Sequence, residues 1–145
     1  FITGMGTGGT IMGFQHYFSQ KKDDFKAFPI LPSKNEDGGH RIEGIGDSFI
    51  PKIVDLQALS PILRVSDADA INIARQINKL GLSVGISSGA NVFGAILKAF
   101  ESPNNKNVAT ILCDDNKKYL STDLCSNSEE KLSKNIKITH FEFMS

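Results

Sequence analysis

The sequence has no tryptophan, two cysteines, three histidines and no net charge, with sixteen Lys and Arg balancing sixteen Asp and Glu in 145 residues. Each shortage excludes something. Balanced charge gives no global field to steer the chain to nucleic acid or to an anionic membrane surface. The basic pairs Lys21-Lys22 and Lys117-Lys118 sit beside aspartates, which dilutes any local patch. No apolar run approaches the roughly 20 residues a membrane-spanning helix needs. The N-terminal stretch carries no basic segment, apolar core and small-residue cleavage site, so no signal peptide is expected. Cys113 and Cys125 have neither metal spacing nor the density of a disulfide framework, so the cytoplasm is the expected compartment. Cys113 closes an apolar run and is expected as a buried thiol, with Cys125 nearer the surface. His16, His40 and His140 are far apart, and they assemble neither a metal site nor a nucleophile–base–acid triad. His16 is expected on a helix surface and His40 in a solvated loop. Asp114 and Asp115 do not form a convincing acid–base pair, because nothing places them around a substrate.

What is present is an alternation of strands and helices. The length fits one domain with a real core. Phe1-Ile2-Thr3 reads as the end of a buried strand, followed by glycines and a helix over residues 9–19. "FKAFPILP" reads as a second strand, which Pro29 demotes to a short or edge element. Residues 33–55, rich in Gly, Asp and Asn, read as a long ordered loop. Residues 62–65 are strand-like, and Ser66-x-x-Asp69 has the form of a capping box. Ala70, Ile71, Ala74 and Ile77 then recur at helical spacing until Gly81 supplies a stop. A short strand over 82–86, a small-residue helix over 88–100 and an apolar strand over 108–113 follow, then a polar tail and a late strand at "IKITHFEF". The expected fold is α/β, a mostly parallel sheet with helices on both faces. Its organisation is expected to be a fold unit over 1–124 and a C-terminal tail over 125–145.

Five glycines fall in the first thirteen residues. In "GTGGT" (Gly6, Thr7, Gly8, Gly9, Thr10), glycines allow close backbone approach at a helix N-terminus, where N–H groups and the helix dipole favour a phosphate. A Walker loop would require a Gly-Lys-Ser/Thr ending, which is absent, and a dinucleotide fingerprint matches only loosely. A plain tight turn that binds nothing and a simple nucleotide-binding module both stay open on this loop alone. "VGISSGAN" repeats the logic at a second strand end. Ser87 is placed to look outward from it, while Ser88 reads as a helix N-cap. In a parallel sheet both loops fall on the ligand-binding edge.

"GTGGTIMG", "HRIEGIGDSFIP", "VGISSGA" and "KKYLSTDL" occur together, in order and at similar spacing, and so the chain resembles the cysteine synthase and cystathionine β-synthase family. These are fold-type II, tryptophan synthase β-like enzymes that use pyridoxal 5'-phosphate. The resemblance implies that Gly6, Thr7, Gly8, Gly9 and Thr10 hold the cofactor's phosphate and that Ser87 hydrogen-bonds its pyridine nitrogen. It places Gly44, in "EGIG", near an amino-acid substrate, with Glu43 and Asp47 beside it. The family's Schiff-base lysine belongs to a segment upstream of the glycine loop, as does the loop that grips the substrate carboxylate, so no catalytic residue is assigned in this chain and no metal is expected. The chain is expected to match the C-terminal half of the fold and to need an N-terminal half, in an enzyme that the resemblance implies is a homodimer. The implied activity is β-replacement, foremost cysteine synthase chemistry, with cystathionine β-synthase and a non-catalytic half acting through a partner as alternatives. One departure is "CDDNKKYL", where the family commonly has Pro-Asp-Ser-Gly and where Asp115-Asn116 here forms the turn.

Overall fold

The structure is a computed structural model and describes residues 1–34, 38–46, 49–102, 107–126 and 132–142. Strand β1 (Ile2–Gly4) runs into helix α1 (Gly9–Ser19). Strand β2 (Phe28–Pro32), strand β3 (Leu63–Val65), helix α2 (Asp67–Lys79) and helix α3 (Ile86–Glu101) follow. The strands form a parallel three-stranded sheet in the order β1-β2-β3. Two short 3₁₀ turns, Lys117–Tyr119 and Asp123–Cys125, lie beyond α3.

Local signals set the helices. α1 starts at Gly8, whose φ of +85° lies in the left-handed region that glycine enters without a Cβ penalty. α2 starts at Ser66, whose Oγ accepts the Asp69 N–H at 3.1 Å, and the chain reverses at Gly81 with φ +95°. Its buried stripe of Ala70, Ile71, Ala74 and Ile77 packs on α3 and the sheet around Ile2, Ile30 and Val65. A second apolar cluster, Met5, Ile11 and Ala27 with Leu31 against it, seats α1. Ala27 and Leu31 therefore alternate with Ile30 between the two clusters, as a strand with two covered faces requires.

Four expectations change. β2 is the central strand, not an edge. Phe28 donates its N–H to the Phe1 carbonyl and Ile30 accepts from Met5 N–H, so these residues turn their polar groups toward β1. Pro29 by alternation faces the β3 side, one residue before that ladder begins at Ile30 and Leu63. Its missing N–H therefore costs no ladder bond. Residues 82–86 form no strand. Asn78 instead brackets Val84, accepting its N–H at 2.8 Å and donating to its carbonyl at 3.0 Å, and α3 begins already at Ile86. Over 108–113 there is only an isolated bridge between Ile2 and Thr110. The stretch 136–142 is likewise irregular. It is pinned to α2 through Gln76, which donates to the Ile136 carbonyl at 2.8 Å and accepts from Ile138 N–H at 2.7 Å. No helix among the described residues is long and apolar enough to cross a membrane.

Candidate functional site

The strand-to-helix turn after β1 opens onto a cleft of about 330 Å³. Gly6, Thr7, Gly8 and Thr10 line it; Gly9, the first residue of α1, does not. The first α1 hydrogen bond runs from Met12 N–H to the Gly8 carbonyl. Among the described residues, the backbone N–H groups of residues 7–11 find no protein acceptor. Unpaired donors at a helix start, beside the Thr7 and Thr10 hydroxyls, are the donor set a phosphate dianion requires.

The loop over 38–46 forms the next wall. Arg41 ties it to α2 and beyond: its N–H and Nε donate to Asp67 at 2.9 and 3.2 Å, and its guanidinium pairs with Asp123. Gly46 N–H donates to the Met5 carbonyl at 3.1 Å. Gly44 thereby lies directly on the glycine loop, since a Cβ on Gly6 would come 2.4 Å from the Gly44 carbonyl oxygen. Gly44 itself has φ +78°. Glu43 is exposed at the cleft, and Asp47 lies outside the described residues. His40 is half-buried rather than solvated, and its Nδ1 is buried.

The opposite wall is the start of α3 with the 111–118 segment. Ser87 is only 6% exposed and lines the cleft, its hydroxyl 3.4 Å from Asp114 Oδ1. Ser88 is not the N-cap. That position belongs to Gly85, and Ser88 is fully buried one turn in, accepting the Cys113 N–H at 2.9 Å. The expectations for Ser87, Gly44 and the loop residues other than Gly9 thus converge on one cleft.

Sequence reasoning missed other members of the site. Asn91, completely buried, accepts Gly4 N–H at 2.7 Å and donates to the Ile111 carbonyl at 3.0 Å, joining the glycine loop's strand to the far wall. Its position in "VGISSGAN" gave no signal beyond a polar residue on an otherwise apolar helix face. Cys113 is exposed rather than buried, because the segment expected to be a strand is open on the cleft side. Partial desolvation by the cleft walls, and then the Asp114 carboxylate, push its thiol above the ordinary value. Lys118 also lines the cleft, 2.7 Å from Asp114 and 3.9 Å from Glu43. Its hydrogen bond to Asp114, first among several influences, raises its pKa, so the ammonium stays charged. Among the described residues no group of His, Cys, Asp and Glu is arranged to hold a metal ion.

Comparison with known proteins places this arrangement. The family profile described as "Pyridoxal-phosphate dependent enzyme" matches residues 1–114. Cysteine synthase B of Campylobacter jejuni is 44% identical over 126 residues, which is 83% of this chain and 42% of that protein. A hydrogen sulfide-producing enzyme from Fusobacterium nucleatum superposes with a TM-score of 0.83 at 41% identity, covering 90% of this chain and 41% of that one. An O-acetylserine dependent cystathionine β-synthase from Helicobacter pylori superposes with a TM-score of 0.76 at 32% identity, covering 85% of this chain and 42% of that one. The chain therefore spans about 42% of the length of the curated relatives it matches.

Proposed function

Because this chain belongs to the pyridoxal-phosphate dependent enzyme family, we propose that its cleft seats pyridoxal 5'-phosphate and that the whole protein is a cysteine synthase. The reaction is replacement of the acetate of O-acetylserine by sulfide, giving cysteine. One observation carries the reading. The start of α1, where among the described residues the N–H groups of residues 7–11 have no protein acceptor, and the Ser87 hydroxyl in the first turn of α3 meet at the same cleft.

Gly6, Thr7, Gly8, Gly9 and Thr10 take the phosphate through backbone N–H groups and the two threonine hydroxyls. Ser87 takes the ring nitrogen. Bound there, the cofactor supplies an electron sink for charge developing at the α-carbon of the amino-acid substrate. A serine partner, unlike a carboxylate, can donate to an unprotonated ring nitrogen, which suits β-elimination and replacement. Gly44 carries the wall that meets the substrate; Arg41 and Asp67 tie that wall to α2, and the Gly46 N–H bond to the Met5 carbonyl seats it on the glycine loop.

The lysine that bonds the cofactor is assigned to the part of the relatives' fold these 145 residues do not span. Lys118, the lysine of the cleft lining, is unsuited to that role, since pairing with Asp114 keeps it protonated and non-nucleophilic. We further assign the protein to the cytoplasm as a homodimer, by the resemblance that identifies its motifs.

The test is to load the full-length protein with pyridoxal phosphate and supply O-acetylserine with either sulfide or homocysteine. Cysteine formed from sulfide supports the reading. Turnover with homocysteine and not sulfide moves the protein to the cystathionine β-synthase reading, which the likeness to the Helicobacter enzyme favours. Cofactor retention without turnover of either makes it a non-catalytic half that acts through a partner. Failure to bind the cofactor overturns all three.

A further inference from the structure

We propose that Asp114 is a positioning residue for Ser87, holding its hydroxyl toward the cleft so that the oxygen is in place when the ring nitrogen arrives. The inference rests on the reading of Ser87 as the nitrogen's partner and adds the group that acts through it.

A serine in the first turn of a helix has competing choices. Its hydroxyl can fold back onto local backbone groups or adopt other staggered rotamers. Ser88 shows the alternative, because it turns inward and serves the Cys113 N–H at 2.9 Å. Ser87 points the other way, and the acceptor on that side is Asp114 Oδ1 at 3.4 Å. A carboxylate can only accept, so Ser87 is the donor of this pair. The bond is long and therefore weak, which lets the hydroxyl exchange it for one to a ligand while the oxygen stays on the cleft side.

A weak bond positions a side chain only if its acceptor is fixed, and Asp114 is fixed from several directions. Tyr119 donates its hydroxyl to Oδ2 at 2.8 Å, and Lys118 Nζ lies 2.7 Å from the same oxygen. Gly85 N–H donates to the Asp114 carbonyl at 3.0 Å. Gly85 also lets the carboxylate lie against the helix start, because a Cβ there would come 2.3 Å from Asp114 Oδ1 and 2.5 Å from Tyr119 Cε2. No side chain of α3's own N-cap serves that end, so Asp114 brings the negative charge that a helix N-terminus favours. Burial, above all, pushes the Tyr119 hydroxyl up to about 12, so it remains a donor to Asp114 at any working pH. Asp114, Tyr119 and Lys118 act as one bracket behind Ser87.

The experiment is a mutant cycle in the full-length protein. The readouts are the dissociation constant of pyridoxal phosphate and the nitrogen-15 resonance of cofactor labelled in the ring. Ser87→Ala is expected to weaken retention roughly 2- to 12-fold, the range of one net hydrogen bond. Asp114→Ala is expected to cost several-fold in the presence of Ser87 and less than about twofold in the Ser87→Ala background. It should move the ring-nitrogen resonance only when Ser87 is present. Asp114→Asn should rescue, because its carbonyl can face Tyr119 and Lys118 while its amide group holds Ser87 Oγ.

Equal losses from Asp114→Ala with and without Ser87 would show a purely structural role and overturn the inference. So would an Asp114→Ala protein that retains cofactor normally. Ser87→Ala with undiminished retention overturns the assignment of Ser87 itself, and the inference with it. Should Asp114→Ala fail to fold, Tyr119→Phe removes one anchor and runs through the same cycle, with a smaller loss that again must depend on Ser87.

Discussion

Replacing Asn91 by leucine tests whether the cleft's two walls are held together as described. Leucine nearly matches asparagine in shape but can neither donate nor accept. Asn91 Oδ1 accepts the Gly4 N–H at 2.7 Å, and Nδ2 donates to the Ile111 carbonyl at 3.0 Å and contacts Cys113 Sγ at 3.5 Å. The substitution therefore strands a backbone donor on β1 and a backbone acceptor on the far wall. Each unsatisfied group costs about 1–3 kcal/mol when water cannot reach it. Gly4 and Ile111 are both partly accessible, so the lower part of that range applies, and the sum comes to about 2–4 kcal/mol. That is a large share of the 5–15 kcal/mol by which a typical domain is stable. With a urea slope of about 2 kcal/mol/M, mid-range for a small protein, the unfolding midpoint should fall by roughly 1–2 M at unchanged slope. Pyridoxal phosphate retention should fall as well, because the glycine loop is the continuation of the strand that loses its tether. Asn91→Asp separates polarity from shape. It keeps an acceptor for Gly4 but in its charged form faces the Ile111 carbonyl, so its stability should recover as the pH is lowered and a protonated carboxyl can donate. A midpoint unchanged by Asn91→Leu, within about 0.5 kcal/mol, would refute the claim that Asn91 joins the two walls.

Gly6→Ala places a Cβ 2.4 Å from the Gly44 carbonyl oxygen, a backbone atom with little room to yield. It should destabilise the protein by roughly 1–3 kcal/mol and lower cofactor retention, both read by denaturation with and without pyridoxal phosphate. Gly13→Ala is its opposite: nothing lies within 4 Å of the added atom on the exposed side of α1, so thermal unfolding should show a gain of about 0.5–1 kcal/mol. A loss there would mean that the exposed face of α1 is covered. Cys113 is accessible in the cleft yet holds its proton more tightly than an ordinary thiol. Iodoacetamide should therefore label it appreciably only at a pH above that of a free cysteine, and more slowly after loading with pyridoxal phosphate; labelling indifferent to the cofactor would remove Cys113 from the site.

The parts of this molecule that were legible in its sequence are those governed by contacts a few residues apart. α1 runs from Gly9 to Ser19 because a left-handed Gly8 starts it, and α2 begins where Ser66 caps Asp69. The glycine loop belongs to the same class, since helix dipole and free amides are consequences of local geometry. Strands were harder, because a strand is defined by its neighbour. Val84 looks like a strand residue and is satisfied like one, but its partner is the Asn78 side chain. Pro29 looked like an edge marker, yet it stands in the central strand on the side where no ladder bond was due. The members of the site that sequence reasoning missed are separated by long stretches of chain. Asn91 meets Gly4 across 87 positions, and Asp114 meets Ser87 across 27.

The same distinction changes what the loop glycines mean. Read as a string, "GMGTGGT" suggests glycines cleared for a ligand. In the folded chain, much of that clearance is taken up by the protein. A Cβ on Gly4 would meet Ile45 at 2.4 Å, one on Gly6 the Gly44 carbonyl at 2.4 Å, and one on Gly8 the Val54 side chain at 2.2 Å. The glycines let the segments around residues 44–46 and 54 close down on the start of α1, and this packing fixes the direction of the N–H groups of residues 7–11. A rigid row of donors loses less entropy on binding than a flexible one, so their preorganisation is worth affinity without any added contact. On the proposed reading, glycine content at this loop therefore serves the anion at one remove. It allows the wall carrying Gly44 to seat against the loop, which couples two walls of the cleft through close backbone and side-chain packing.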